Sequence, residues 1–181
     1  ALTPFLLPTH VECFGTSTGS IDLTISGGYS PYTYSWSNGA TSQDLSNIPA
    51  GPYSVTIMDS VGCTVNIATI VNQPANGLSL AFANTNVTCF GLNNGSINLT
   101  PSFGTPPYSY AWSNGATTQD LNNLFAGTYS VLVTDANGCT ASVTAQITQP
   151  ANGLSSTLQY TSVGCHNGAS GTATAAGLGG T

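Results

Sequence analysis

Apolar residues alternate with polar ones along most of this chain. In the stretch 127–147, Tyr129, Val131 and Val133 alternate with Ser and Thr or single apolar positions, and Ala141, Val143, Ala145 and Ile147 do the same after a turn. A period of two sends successive side chains to opposite faces of a strand, so these positions predict half-buried β-strands. Leu78, Leu80 and Phe82 predict a first strand, Ile97 and Leu99 a second, and Tyr108, Tyr110 and Trp112 a third. A short strand is expected at 117–121. Turn signals separate them: Asn93-Asn94-Gly95, Ser113-Asn114-Gly115, Ala126-Gly127 and Asp135-Ala136-Asn137-Gly138. No segment carries a helical period. Short strands with turns every eight to twelve residues or so are the pattern of a β-sandwich.

The whole pattern recurs with a period of 76 residues. Cys13, Cys89 and Cys165 share one register position; so do Trp36 and Trp112, Cys63 and Cys139, and Gln73-Pro74 and Gln149-Pro150. A fixed period marks an array of structural units. It predicts a first sandwich at 1–76, a second at 77–152, and at 153–181 an incomplete third copy holding only its first two strands. Two strands cannot close a sandwich, so the chain is expected to be a piece of a longer polypeptide or to be completed by a neighbour.

Composition narrows the function. The chain has no Lys or Arg, six acidic residues and a formal charge of −6. Without cations it cannot neutralise phosphates, which argues against nucleic-acid partners and against anionic membrane surfaces. No apolar run reaches transmembrane length, so no membrane insertion is expected. His10 and His166 are replaced by Asn86 and Phe90 in the second copy, so neither is expected to be catalytic, and no cofactor or metal site is read from the spacing of Cys and His. Asp59 and Asp135 are expected to accept hydrogen bonds within their own turns. Asp44 and Asp120 are expected at an exposed strand end. Trp36 and Trp112 are read as core residues, against a sugar-stacking alternative, and Tyr53 and Tyr129 as tyrosine corners.

The string Val-Thr-Cys-Phe-Gly, followed by Pro-Pro-Tyr-Ser-Tyr-Ala-Trp-Ser-Asn-Gly-Ala-Thr-Thr-Gln-Asp-Leu, Ala-Gly-Thr-Tyr-Ser-Val and Val-Thr-Asp-Ala-Asn-Gly-Cys-Thr, resembles the SprB repeat of gliding Bacteroidetes. The resemblance spans both full copies and the start of the third. It implies tandem immunoglobulin-like β-sandwich modules in a long extracellular adhesin, export by type IX secretion, and a role in cell-surface attachment or gliding motility. Expected partners are extracellular surfaces or polysaccharides, adjacent repeats of the same chain, and neighbouring protomers. Two other readings remain: a carbohydrate-binding array on a secreted enzyme, and a polymerising filament subunit completed by strand exchange. In such a compartment five cysteines predict two disulfides and a leftover. One register closes each copy, Cys13 with Cys63 and Cys89 with Cys139, leaving Cys165 unpaired. The other joins Cys63 to Cys89 and Cys139 to Cys165. The first is favoured because it makes each copy self-contained. Asp59-Ser60-Val61 resembles the O-glycosylation sequence of exported Bacteroidetes proteins, which implies a glycan on Ser60.

Overall fold

The structure is a computed structural model and describes residues 1–162 and 171–179. Every regular element in it is a β-strand. The first copy contributes β1 (Thr3–Thr9), β2 (Gly19–Ser26), β3 (Thr33–Trp36), β4 (Leu45–Ile48), β5 (Gly51–Met58) and β6 (Thr64–Val71). They form two three-stranded sheets, ordered β1-β2-β4 and β3-β5-β6. The second copy repeats this with β7 (Ser79–Thr85), β8 (Gly95–Ser102), β9 (Ser109–Trp112), β10 (Leu121–Leu124), β11 (Gly127–Thr134) and β12 (Thr140–Ile147). A hairpin of β13 (Ser155–Thr161) and β14 (Thr172–Leu178) follows, in unbroken antiparallel register from Ser155↔Leu178 to Thr161↔Thr172.

Most of the core comes from the alternating positions, although Phe82 of the expected first strand is exposed and Tyr129, Ala141 and Val143 are only partly buried. Leu6, Ile21, Leu23, Trp36, Leu45, Ile48, Tyr53, Val55, Ile57 and Val71 are buried between the sheets of the first copy. In the second, Ile97, Leu99, Trp112, Leu121, Leu124, Val131, Val133 and Ile147 are buried. This is the immunoglobulin-like arrangement, two antiparallel sheets face to face with a central Trp. Tyr53 donates its hydroxyl to the Pro49 carbonyl at 2.9 Å and Tyr129 to that of Phe125 at 3.1 Å, as tyrosine corners do. Gly19 is fixed by packing: a Cβ there would lie 2.8 Å from Val71 Cγ1 and 2.9 Å from the Ile48 carbonyl oxygen.

One strand lies elsewhere than expected. The segment 117–120 is not a strand, and β10 begins at Leu121. Side chains there replace the ladder. Asp120 Oδ1 accepts from Leu99 N at 2.9 Å, and Gln119 Nε2 donates to Leu99 O at 2.6 Å. The backbone of Leu99 is thus satisfied as if by a neighbouring strand. Asp44 and Gln43 do the same for Leu23 at 2.9 and 2.7 Å. Asp44 and Asp120 are therefore not idle strand-end charges, although Asp44 is exposed.

The chain packs as two units. One comprises Ala1–Ser79, Ser102–Tyr108 and Thr134–Thr140; the other comprises Leu80–Pro101, Ser109–Val133 and Ala141–Thr181.

Candidate functional site: a cross-link between successive repeats

Cys13 follows β1 in a pinned turn. Val11, 2% exposed, anchors it, and its N–H donates to Asn72 O at 2.9 Å. Asn72 N in turn donates to His10 Nδ1 at 3.1 Å, so His10 is a structural acceptor. Asn86 Oδ1 takes that role at Thr148 N in the second copy, at 3.0 Å, which explains why Asn can stand for His here. Thr16 donates from its N–H and its Oγ1 to Cys13 O at 3.2 and 2.9 Å. Gly15, with φ of 75°, donates to Gln73 Oε1 at 2.9 Å.

Cys139 closes the turn Asp135-Ala136-Asn137-Gly138-Cys139. Asp135 is buried and organises it. Its Oδ1 accepts from Asn137 N and Cys139 N, each at 2.9 Å, and its Oδ2 accepts from Thr105 N at 3.0 Å. Burial pushes the Asp135 carboxyl up, but the N–H groups of Thr105, Cys139 and Asn137 outweigh it and hold the group below the usual carboxylate range. Gly138, at φ of 81°, permits the reversal. Asp59 builds the equivalent turn around Cys63, accepting from Val61 N at 3.1 Å and Cys63 N at 2.9 Å.

Cys13 and Cys139 are joined in a disulfide with their Cα atoms 5.5 Å apart. This corrects both expected registers. Cys63 and Cys89 are free and exposed. Cys165 and His166 lie outside the described residues, and Cys139 is already taken by Cys13. The reason is geometric. The end of β6 lies beside Cys13, through Val11 N to Asn72 O, whereas Cys63 precedes the start of β6. Eight extended residues, roughly 26 Å at the strand rise, separate those ends, and a disulfide needs Cα atoms within about 7 Å. No self-contained bridge can form. The bond spans 126 residues, which is one period of 76 plus the 50 separating Cys13 from Cys63. It links the early turn of one repeat to the late turn of the next. In the chain-entropy model a loop of that size is worth roughly 5 kcal/mol.

Around the bond, a cleft is lined by Phe14, Pro74, Asn76, Leu78, Phe103 and Asp135, among others. Phe14 packs over Gly77, whose added Cβ would meet the Phe14 side chain at 3.6 Å. The Trp residues are not at any surface site. Trp36 and Trp112 are 3% and 5% exposed, and each donates from Nε1 at 2.8 Å, to Ser42 O and Thr118 O respectively. Ser60 is exposed, with its N–H donating to Tyr29 O at 3.0 Å. Among the described residues no three His, Cys, Asp or Glu side chains converge on one point.

The family model of the SprB repeat matches the chain twice, at residues 8–41 and 81–117. Those two spans, one in each full copy, match the SprB repeat. Each matched SprB span includes the early cysteine and the core Trp, while Cys63 and Cys139 fall outside both. No curated protein matches the sequence. Among solved structures, the C-terminal 282-residue fragment of intimin, in complex with the intimin-binding domain of the translocated intimin receptor, is 16% identical with a TM-score of 0.38. That match covers 88% of this chain and 66% of the fragment, so the chain spans just under two thirds of it. An amphioxus IgVJ-C2 molecule is 13% identical with a TM-score of 0.30, over 81% of this chain and 96% of that one. Neither score is high enough to bear on function.

Proposed function

We propose that this chain is a non-enzymatic segment of a long extracellular, cell-surface adhesin. Its repeats, at 1–76 and 77–152 with the incomplete third copy at 153–181, act as successive modules of a semi-rigid stalk used in attachment or gliding, with export by type IX secretion. The observation that carries the reading is the Cys13–Cys139 bond within a tandem SprB array. A covalent tie between successive repeats limits hinging and resists pulling, which suits a stalk and serves no catalytic purpose. Disulfides persist in oxidising compartments, in keeping with an exported protein. Weak contacts from exposed loops, repeated along the array, add through avidity to surfaces or polysaccharides. The carbohydrate-platform alternative loses its best residues, because both Trp side chains are buried. Ser60 is assigned as an O-glycan acceptor on an exposed turn.

Antibodies raised against the purified chain test the reading. They should label intact, unpermeabilised cells and block their attachment to glass or polysaccharide. Labelling that needs permeabilisation, or attachment unaffected by saturating antibody, would overturn it.

A further inference from the structure

The surroundings of Cys13 recur, position for position, around Cys89, with Gly179 where Phe103 stands in the first cleft. An open cleft of about 390 Å3 beside Cys89 is lined by Phe90, Pro150, Asn152, Leu154 and Gly179. Each is 76 positions beyond Phe14, Pro74, Asn76, Leu78 and Phe103, which line the cleft where the Asp135–Cys139 turn sits. The supporting contacts recur as well. Gly91 N donates to Gln149 Oε1 at 2.9 Å, as Gly15 N does to Gln73 Oε1. Phe90 packs over Gly153, where an added Cβ would meet it at 3.5 Å, as Phe14 packs over Gly77. Yet the Cys89 thiol is free and exposed.

We propose that Cys89 is the docking and cross-linking site for the late Asp-x-x-Gly-Cys turn of the next repeat copy, so that every repeat bonds its early cysteine to the late cysteine of its successor. Cys63 is the complementary half. Asp59 holds its turn in the geometry of the Asp135 turn, with Asp59 N to Cys63 O at 3.0 Å and Gly62 N to Asp59 O at 3.1 Å, against 2.9 and 3.1 Å in the bonded turn. Cys63 therefore takes the early cysteine of a preceding repeat. The array becomes a ladder of staggered disulfides, one across each junction.

The chemistry needs an oxidant, and a dithiol-exchange protein of the extracytoplasmic space or a small-molecule disulfide supplies it. One protein thiolate attacks the donor disulfide and releases one donor thiol. The second protein thiolate then displaces the other. A protein S–S bond forms, the donor S–S bond is reduced to two thiols, and the two protons from the protein thiols end on the donor. The pairing does not depend on which surface the repeats adhere to.

The test is a disulfide map of the native polypeptide, isolated from its cells with free thiols alkylated at harvest. Trypsin finds no Lys or Arg here, so pepsin is used, at a pH that also suppresses exchange. The expected result is a Cys89 peptide cross-linked to a peptide carrying a Gly-Cys from a following repeat, lost on reduction. In a Cys89→Ser variant that partner cysteine becomes alkylated while the Cys13–Cys139 peptide is unchanged. Cys89 recovered alkylated, or bonded to Cys63 or Cys165, overturns the proposal. The antibody experiment can fail without touching this result, and the converse also holds.

Discussion

Gln119 donates from Nε2 to the carbonyl oxygen of Leu99 at 2.6 Å, while its Oε1 accepts the Tyr110 hydroxyl at 3.2 Å. With Asp120 on the Leu99 N–H, two adjacent side chains do the work of a strand edge. Leu99 is fully buried. Asp120→Ala leaves its N–H without an acceptor, which costs about 1–3 kcal/mol. Urea unfolding should show a lowered midpoint with an unchanged slope. An unchanged midpoint would mean that the side-chain edge contributes nothing.

Trp112 fills the centre of its sandwich and satisfies the Thr118 carbonyl. Trp112→Ala should cost roughly 3–5 kcal/mol. Trp112→Phe should cost less, since it keeps much of the volume and loses the hydrogen bond. A destabilised variant points to core; wild-type stability with lost attachment would make the Trp a binding residue.

Asp135 gives the acid limb of stability a direction. Its folded pKa is lowered, so the carboxylate stabilises the fold fully above its unfolded value, about 3.9. That contribution is lost as pH falls through the lower folded value. Asp135→Asn should therefore differ most from wild type near neutrality, and the gap should narrow as the solution is acidified. Urea midpoints of both proteins across that range check it. A gap that stays constant or widens in acid contradicts the assignment.

Much of this is legible in the chain. Val131, Val133 and Ile147 announce their burial by alternation, and Tyr129 its corner by the Ala-Gly-x-Tyr spacing. Two features were hidden for physical reasons. Thr117–Leu121 reads as a strand because its residues suit one, but Gln119 and Asp120 spend their side chains on Leu99, and nothing local says so. The cysteine register depends on which end of β6 lies beside Cys13, a tertiary fact. Cys13 and Cys63 look self-contained at 50 residues apart, yet lie at opposite ends of a strand.

The central claim is that covalent bonds join successive repeats rather than close each one. Peptic mapping of the purified chain without reductant tests it most directly. The account predicts a cross-linked pair containing Cys13 and Cys139, and no peptide joining two cysteines of the same repeat. A map joining Cys13 to Cys63 would contradict it.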